Sequence, residues 1–394
     1  MKKYKRVFLI VLDSLGIGEA HDAYLYDDEG ANTLGHICLS VDNLNVPYLK
    51  MMGLGNLGDF RNIEPVAFPH AYNARLTEVS NGKDTITGHW EMMGIKVTEP
   101  FLTFTHTGFP SEFIKLFEEK TGRHCVGNYS ASGTEIIEEW GEHQLRTGDW
   151  IVYTSADSVF QIAANEKIIS LDELYNACEI ARELAMNDQW KVGRIIARPF
   201  IGRKKGEFKR TSNRHDWALQ PFHNTVLDNL KENNFDVIGI GKIPDIFADR
   251  GITKKIKTIS NDDGMQQFIE ISKKHFNGLA FLNLVDFDAV FGHRRDVYGY
   301  AHAIESFDKQ LEELLTYLNE DDLLIITADH GNDPTFKGTD HTRENVPLLI
   351  YNKNLNHPHN LGLFNGFYVI GATIAENFDI ENPGYGESIL NHII

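Results

Sequence analysis

Three apolar runs in this sequence each lead into aspartate, and this repeated pattern constrains the fold more than any other feature. The runs and their aspartates are 7–12 with Asp13, 279–285 with Asp286 and Asp288, and 323–326 with Asp329. A short apolar run bounded by polar residues and glycine is typical of a buried strand. Parallel strands of one sheet end at the same edge, and open α/β sheets bind their ligands there. We therefore expect these aspartates to converge at one edge of a parallel sheet.

Histidines follow two of the three runs, so the same edge has the composition of a metal site. Converging carboxylates repel one another strongly unless cations lie between them. The six residues that would suit two ions are Asp13, Asp288, His293, Asp329, His330 and His341. Carboxylate oxygen and imidazole nitrogen together suit Mn²⁺ or Zn²⁺ better than Ca²⁺.

Two alternatives stay open from the residues alone. Asp286 rivals Asp288, because it ends its strand directly. For the segment 322–341 taken by itself, a polar loop with hydrogen-bonded histidines is the other interpretation. Two ions a few ångströms apart can hold a phosphoryl group between attacking and leaving oxygens, so the metal interpretation indicates phosphoryl transfer.

Length, charge and cysteine content set the broad class of the protein. The chain has 394 residues, which favours two domains over a single hydrophobic core. Its formal net charge of −18 argues against nucleic acid or an anionic membrane as partner. The three cysteines are far apart and form no CxxC, so we expect reduced thiols and a cytoplasmic location.

The N-terminal segment has a feature that could be mistaken for a targeting signal. The basic start, 1–6, is followed by an apolar run that ends at Asp13 without a small-residue cleavage site. This predicts a first strand rather than a signal peptide. No run approaches the roughly 18 apolar residues that a membrane span needs.

Helix and strand patterns alternate along the chain, which indicates an α/β fold with a mostly parallel sheet. Elements predicted in the middle of the sequence are 150–153, 171–186 and 192–197, and those after it are 225–233, 235–240, 301–318 and 347–351. The middle of the sequence, from about residue 101 to 217, differs in its pattern of residues from the sequence on either side. We therefore predict a core domain made of 1–100 and 218–394, interrupted by a smaller α/β domain at 101–217.

A stretch of small and hydroxylated residues, 80–89, leads into a helix-like segment near Trp90. Backbone N–H groups at a helix start favour an anion, but Thr and Asp are also ordinary N-cap residues. Without other information the cap is the preferred interpretation. The very basic run 202–214 is interpreted, for most of its charges, as a solvated loop.

Four motifs taken together resemble those of the phosphopentomutases, in their prokaryotic form within the alkaline phosphatase superfamily. The motifs are Leu12–Gly18, Lys83–Glu91, Asn283–Asp288 with Gly292–Arg295, and Thr327–Asp333 with Asp340–Glu344. The resemblance extends over nearly the whole chain. It implies an alkaline-phosphatase-like core, in which helices sandwich the mostly parallel sheet, and an inserted cap domain.

The resemblance also implies roles for the residues of these motifs. Thr85 is the expected phosphorylated nucleophile. The expected ligand sets for two Mn²⁺ ions are Asp13, Asp329 and His330 for one ion, and Asp288, His293 and His341 for the other. The family has a ligand five residues before the position of His293, which selects Asp288 over Asp286.

Candidate substrate contacts follow from the similarity of the middle block to the family's cap. They are Ser155, Asp157, Arg194 and Arg210, together with Lys242 from the core. Asp157 would accept hydrogen bonds from sugar hydroxyls, and the two arginines would hold the distal phosphate with bidentate donors. Arg214 competes with Arg210, and the sequence does not decide between them.

The activity that the resemblance implies is the interconversion of ribose or 2-deoxyribose 1-phosphate and 5-phosphate. It would proceed through a phosphothreonine enzyme and a 1,5-bisphosphate, with two Mn²⁺ ions and priming by ribose 1,5-bisphosphate or glucose 1,6-bisphosphate. The expected partner is a small pentose phosphate, and we expect a monomer. The first alternative is a phosphatase or a cofactor-independent phosphoglycerate mutase, although the latter characteristically has serine where this chain has Thr85. The second is a metal-stabilised binding protein without turnover.

Overall fold

Strands and helices alternate through residues 3–155 and 158–393, which are the residues that the computed structural model describes. The strands are β1 (Arg6–Leu12), β2 (Tyr72–Thr77), β3 (Cys125–Ser130), β4 (Trp150–Thr154), β5 (Val159–Asn165), β6 (Arg194–Ile201), β7 (Lys209–Arg210), β8 (His215–Ala218), β9 (Asp236–Ile240), β10 (Lys254–Ile256), β11 (Gly278–Leu284), β12 (Asp322–Thr327), β13 (Val346–Tyr351) and β14 (Asn360–Asn365). The helices are α1 (Thr33–Ser40), α2 (Pro47–Met51), α3 (Thr85–Met92), α4 (Ser111–Thr121), α5 (Gly133–Thr147), α6 (Leu171–Leu184), α7 (Val226–Glu232), α8 (Ile243–Ile246), α9 (Asn261–Ser272), α10 (Val297–Tyr317), α11 (Val369–Asn377) and α12 (Leu390–Ile393). Short 3₁₀ or π-helical turns lie at Ala23–Tyr26, Leu54–Leu57 and Phe287–Gly292.

The chain divides into two compact units. Unit 1 consists of Met1–Thr98 and Pro221–Ile394, and unit 2 is Glu99–Gln220. Unit 2 is therefore one continuous stretch of sequence that interrupts unit 1. The junctions between the units lie at 98/99 and 220/221, whereas the sequence analysis placed them at 100/101 and 217/218. That unit 2 serves as a cap stays a prediction.

An eight-stranded sheet organises unit 1. Its strand order is β10-β9-β11-β1-β12-β13-β2-β14. Only β13 is antiparallel to its neighbours among these paired strands, and the other pairs are parallel. Every residue of β1, β11 and β12 is buried, as expected for apolar strands covered on both faces. The predicted α/β fold with a mostly parallel sheet is confirmed.

The register of the three central strands brings their ends together. Leu12 pairs with Leu284 of β11, and Val11 pairs with Thr327 of β12. Because all three strands run in the same direction, the residues that follow them emerge at one edge of the sheet. The apolar runs that end in aspartate are thus neighbours in space, as their pattern predicted.

A smaller mixed sheet organises unit 2. Its order is β3-β4-β5-β6-β7, with β8 paired to β6. The buried aromatic residues of its larger core cluster include Phe109, Phe113, Phe117, Trp150 and Phe160. The rings of Phe113 and Phe160 meet edge to face at 5.0 Å, a geometry worth about 0.5–1.5 kcal/mol beyond the area buried. Unit 2 therefore has a hydrophobic core of its own.

Two helices begin earlier than their apolar patterns predict, and in both an aspartate sets the start. The Asp84 carboxylate accepts hydrogen bonds from the backbone of α3, so this helix begins at Thr85 rather than near Trp90. The Asp296 carboxylate accepts from Gly299 N, so α10 begins at Val297 rather than near residue 301. Side-chain capping decides a helix start more directly than apolar spacing does.

The remaining findings concern the cysteines, the helices as possible membrane spans, and the strands that were not predicted. Cys38, Cys125 and Cys178 are free thiols. Among the helices of residues 3–155 and 158–393, none combines the length and apolar character that crossing a bilayer requires. Several strands were not predicted, including β2 and β14 of unit 1, and β14 follows the strand predicted at 347–351.

Candidate metal centre

The turn after β1 joins two of the predicted ligands. Asp13 directly follows β1, and Asp329 lies just beyond β12; both side chains are fully buried. Ser14 has a positive φ of 74°, which turns the chain sharply after Asp13. In this conformation Ser14 N donates a hydrogen bond of 3.0 Å to Asp329 Oδ1. The backbone of one strand end thus holds the carboxylate of the next.

A first group of ligating side chains forms around Asp288, which lies in the π-helical turn after β11. His293 Nε2 lies 3.2 Å from Asp288 Oδ2, and His341 Nε2 lies 3.4 Å from Asp288 Oδ1. His293 Nδ1 lies 2.8 Å from the carbonyl oxygen of Thr339, which can only accept. Nδ1 therefore carries a proton, and Nε2 is the nitrogen that faces the site and could ligate a metal ion, as in most metal-bound histidines.

A second group contains Asp13, His330 and, again, Asp288. The potential ligand atoms of these three buried residues lie within 4.8 Å of one another. His330 Nε2 is 3.5 Å from Asp13 Oδ1 and 3.4 Å from Asp329 Oδ2. Its Nδ1 donates to the Gly331 carbonyl oxygen at 3.0 Å, and burial lowers the pKa of His330, so its Nε2 is unprotonated. All six predicted metal ligands are therefore brought together, and Asp288 belongs to both groups.

The carboxylates of this cluster carry more negative charge than the protein itself neutralises. Within the described part of the chain, Asp13 Oδ1 and Asp329 Oδ2 are buried and accept no hydrogen bond. Burial raises the pKa of Asp13 well above its usual value, and the charges of Asp329 and Asp288 raise it further. Burial acts in the same direction on Asp288, but His341 and His293 hold its pKa well below the usual value. Unpartnered carboxylate oxygens beside imidazole nitrogens fit divalent metal ions.

Thr85 is the first residue of α3 and faces this cluster. Its Oγ1 lies 3.3 Å from His330 Nε2, and its side chain is nearly buried. Asp84 caps the helix by accepting from Ile86 N at 3.0 Å and Thr87 N at 3.2 Å, so the preferred cap interpretation of this segment is confirmed. A Cβ on Gly88 would lie 2.3 Å from the Asp329 carbonyl oxygen, so only glycine lets α3 approach β12 this closely.

Asp286, the rival of Asp288, points into a different set of contacts. Its Oδ2 accepts from Asn261 N at 2.8 Å, while its own N donates to Asn261 Oδ1 at 2.9 Å. This reciprocal pair fixes the start of α9. The geometry thus brings Asp288, not Asp286, into the two ligand groups.

The loop that carries His341 is closed by its own backbone and by a buried carboxylate. Gly331 and Thr342 exchange backbone hydrogen bonds of 3.0 and 2.8 Å. Glu344 accepts from Gly18 N at 3.0 Å, Thr33 N at 2.9 Å and Thr342 Oγ1 at 2.7 Å. Burial raises the pKa of Glu344 to about 6. Glu344 thereby connects the loops that follow β1 and β12.

Arg343 holds the segment that leads into Thr85. Its Nη1 donates to Glu78 Oε2 at 2.7 Å and to the carbonyl oxygens of Ser80 at 2.9 Å and Gly82 at 2.5 Å. The guanidinium is buried, and its partners are an acidic side chain and backbone carbonyls. The approach to α3 is therefore fixed from the same loop that carries His341.

The candidate substrate contacts are divided between the two units. In unit 2, Ser155 accepts a hydrogen bond from Thr105 Oγ1 at its carbonyl oxygen, 2.9 Å away. Arg194 Nη1 lies 4.0 Å from Asp216 Oδ2. Asp157 lies outside the described residues. In unit 1, Lys242 immediately precedes α8, and its charge opposes the effect of burial on the Asp13 pKa.

Arg210 and Arg214 differ in how their charges are satisfied. Arg214 donates from Nε and Nη2 to the two carboxylate oxygens of Asp216, each at 2.7 Å. Arg210 is exposed and forms no ion pair with any residue in 3–155 or 158–393. Its side chain lies across the start of α5, with Nη1 3.3 Å from where a Cβ on Gly133 would be. Among the described residues, Arg214 is therefore paired with a carboxylate and Arg210 is not.

Several residues that support the site were not predicted. Asn332 Nδ2 donates to Asp288 Oδ1 at 2.7 Å, and Asn283 Nδ2 donates to Asp13 Oδ2 at 2.9 Å. His89 Nδ1 lies 3.1 Å from Asp329 Oδ2. All three lie inside the four motifs named above, and Glu344 is the last residue of the fourth motif. Their position in these motifs was the only feature of the sequence that could have indicated a role in the site.

Known proteins are similar to this chain over its whole length. The family model of the metalloenzyme superfamily matches residues 5–382. Phosphopentomutases from Clostridium tetani and Clostridium perfringens are 58% and 57% identical to it, and each alignment covers 100% of both chains. A solved structure from Pyrococcus horikoshii has the same fold, with a TM-score of 0.50, 14% identity and coverage of 98% of this chain and 100% of that one. The chain therefore belongs to the phosphopentomutase family, within the metalloenzyme superfamily.

Proposed function

We propose that this protein interconverts the 1-phosphate and the 5-phosphate of ribose or 2-deoxyribose. The observation that carries the proposal is the position of the Thr85 hydroxyl, 3.3 Å from His330 in a buried cluster of carboxylates and imidazoles. The full-length similarity to phosphopentomutases supplies the substrate class. We place the reaction in the cytoplasm, with a monomer as the active form.

Two divalent metal ions, which we propose to be Mn²⁺, would be held by the cluster. Asp13, Asp329 and His330 would hold one of them, and Asp288, His293 and His341 the other. When bound, the ions would supply the positive charge that a transferring phosphoryl group needs on its oxygens. The unpartnered oxygens of Asp13 and Asp329 support this assignment.

Thr85 would carry the phosphoryl group between the two positions of the sugar. The bond from phosphorus to Thr85 Oγ1 breaks as a new bond forms to the 1-oxygen of ribose 5-phosphate, which gives a 1,5-bisphosphate and frees the proton of that hydroxyl. The phosphoryl group on the 5-oxygen is then transferred to Thr85 Oγ1, the 5-oxygen takes up a proton, and ribose 1-phosphate remains. A sugar bisphosphate such as ribose 1,5-bisphosphate or glucose 1,6-bisphosphate would phosphorylate Thr85 initially.

Substrate recognition would come from Ser155, Asp157, Arg194 and Arg210 of unit 2, together with Lys242. Arg210 is supported over Arg214 because the guanidinium of Arg214 already donates two hydrogen bonds to the Asp216 carboxylate. A guanidinium offers paired donors that match two phosphate oxygens. Ordering these residues around the sugar would exclude water, which otherwise would hydrolyse the phosphothreonine.

A mutase assay tests the proposal. The purified protein is incubated with Mn²⁺, a trace of glucose 1,6-bisphosphate and ribose 1-phosphate, while ribose 5-phosphate and free phosphate are measured together. We expect ribose 5-phosphate without free phosphate, and no product from Thr85→Ala. Thr373→Ala is the matched control, because Thr373 is also buried but bonds to Val369 O in α11.

Three outcomes would contradict the proposal. Free phosphate as the main product would indicate a phosphatase. Product formation by Thr85→Ala at the wild-type rate would remove Thr85 from the mechanism. Binding of ribose 1-phosphate without any product would indicate a binding protein.

A further inference from the structure

A buried polar chain connects the Thr85 helix with two of the candidate metal ligands. His89 lies in α3, four residues after Thr85, so the two residues share one face of the helix. Its imidazole is fully buried and stacks on the Phe281 ring at 5.8 Å. A buried imidazole needs partners for both of its nitrogens, and their identity decides where the proton lies.

The Nδ1 side of His89 faces acceptors only. Nδ1 lies 2.8 Å from the Thr85 carbonyl oxygen and 3.1 Å from Asp329 Oδ2. A carbonyl oxygen and a carboxylate oxygen both require a donor, so Nδ1 must carry a proton. That single N–H is donated to the Thr85 carbonyl oxygen and also lies beside Asp329 Oδ2, which accepts no other hydrogen bond in the described chain.

The Nε2 side of His89 faces a donor whose orientation is fixed independently. Asn283 Nδ2 lies 3.3 Å from His89 Nε2. The same amide nitrogen donates to Asp13 Oδ2 at 2.9 Å, and turning the amide over would set its oxygen against that carboxylate. Asn283 therefore presents an N–H to His89, and Nε2 must be the unprotonated nitrogen.

We propose that His89, as the neutral Nδ1–H tautomer, is a positioning residue that fixes the Asp329 carboxylate relative to the backbone of Thr85. Asn283 selects this tautomer and ties the same network to Asp13. The helix that carries the nucleophile and two ligand carboxylates then move as one body. This inference rests on the proposed function only in treating Asp329 as a metal ligand.

Two substitutions of His89 test the roles of its two ring nitrogens separately. In His89→Asn the side-chain amide nitrogen can take the place of Nδ1, so the donor to Thr85 O and Asp329 is kept. In His89→Gln the amide reaches the place of Nε2, so the contact with Asn283 can persist but the Nδ1 donor is lost. Partners of this kind typically change metal affinity or activity by about 10- to 100-fold when removed.

The measurement is Mn²⁺ binding to the metal-free full-length protein by calorimetry, with Mn²⁺ alone as the probe. We expect His89→Gln to weaken binding by about 10-fold or more, and His89→Asn to stay within a few-fold of the wild type. A role in packing alone predicts the reverse order, because Gln fills the volume of His better than Asn does. Affinities in that reverse order, or two variants equal to the wild type, would overturn the inference.

A second readout does not depend on folded variants. In wild-type protein with ¹⁵N-labelled histidine, we expect His89 to show the Nδ1–H tautomer by NMR; an Nε2–H or doubly protonated ring would overturn the inference. Both measurements are made without substrate. If the wild type showed no mutase activity, the proposed function would fail while the tautomer and the order of Mn²⁺ affinities would still decide this inference.

Discussion

Asp286 and Asp288 are two positions apart, yet their carboxylates have unrelated partners. We expect Asp288→Asn to lower activity by about two orders of magnitude or more, because a bound metal contributes several kcal/mol to such reactions. We expect Asp286→Asn to retain most activity, because an amide oxygen can still accept from Asn261 N. Steady-state kinetics and the metal content of each variant test this pair. Equal losses in both would show that the ligand set has been assigned incorrectly.

Arg210 and Arg214 also allow a paired test, because among the described residues only Arg214 is paired with a carboxylate. We expect Arg210→Ala to raise KM for the pentose phosphate by about 10-fold or more, since hydrogen bonds to charged groups contribute roughly 1.5–3 kcal/mol. We expect Arg214→Ala to change KM less and to lower Tm slightly, because it removes both bonds to Asp216. KM and Tm are measured for both variants. A larger KM effect in Arg214→Ala would reverse the assignment.

Two ligand candidates that the sequence indicated without a rival follow the buried strands β1 and β12. Asp13 and Asp329 could be found because a buried strand followed by a carboxylate is a pattern visible along the chain. His89 and Asn283 could not be assigned a role, because it depends on hydrogen bonds between α3, β1 and β11. Buried polar residues do not recur at regular spacing along the sequence. Their hydrogen-bond partners are therefore known only once the packing of the helices and strands is known.

At the scale of elements, the contact between α10 and α2 gives a prediction for stability. The carboxylate of Asp308 in α10 accepts from Leu49 N at 2.7 Å and Tyr48 N at 3.2 Å in α2. Burial raises the pKa of Asp308 to about 6, whereas an unfolded aspartate titrates near 3.9. Between these values the folded protein binds a proton that the unfolded chain does not, so stability falls as the pH rises from about 4 to about 6.

Asp308→Asn should remove this part of the pH dependence. We expect the free energy of unfolding of the wild type to fall by about 1–2 kcal/mol more than that of Asp308→Asn between pH 4 and pH 6.5. Urea unfolding at several pH values measures both proteins. The other carboxyl groups titrate alike in the two proteins, so parallel stability curves would show that Asp308 does not titrate in this range.

The strands of unit 1 that could be predicted are those whose sequence contains a continuous apolar run. β1, β11 and β12 are buried throughout, each contains a continuous apolar run, and all three were predicted as strands. β14 is largely exposed, and β2 mixes Asn and Arg with apolar residues, so neither produces a continuous apolar run. The antiparallel direction of β13 depends on pairing with both neighbours, which the sequence of the strand does not encode.

At the scale of the whole molecule, the buried carboxylates of unit 1 predict an unequal effect of metal removal. A ligand at 100 times its Kd stabilises the folded state by about 2.7 kcal/mol. We therefore expect a chelator to speed amide hydrogen exchange in β1, β11 and β12 of unit 1. We expect β4 and β5 of unit 2, which has its own core, to change little. The same change in both units would show that metal binding is not confined to unit 1.

Unit 2 is a single uninterrupted stretch, so the chain leaves unit 1 once and returns to it once. Only two junctions would have to be crossed to exchange this stretch for another during evolution. The aspartates and histidines of the metal cluster all lie outside it, as does Thr85. If unit 2 recognises the substrate, as proposed above, exchange of this one stretch would change recognition and leave the proposed reacting centre unchanged.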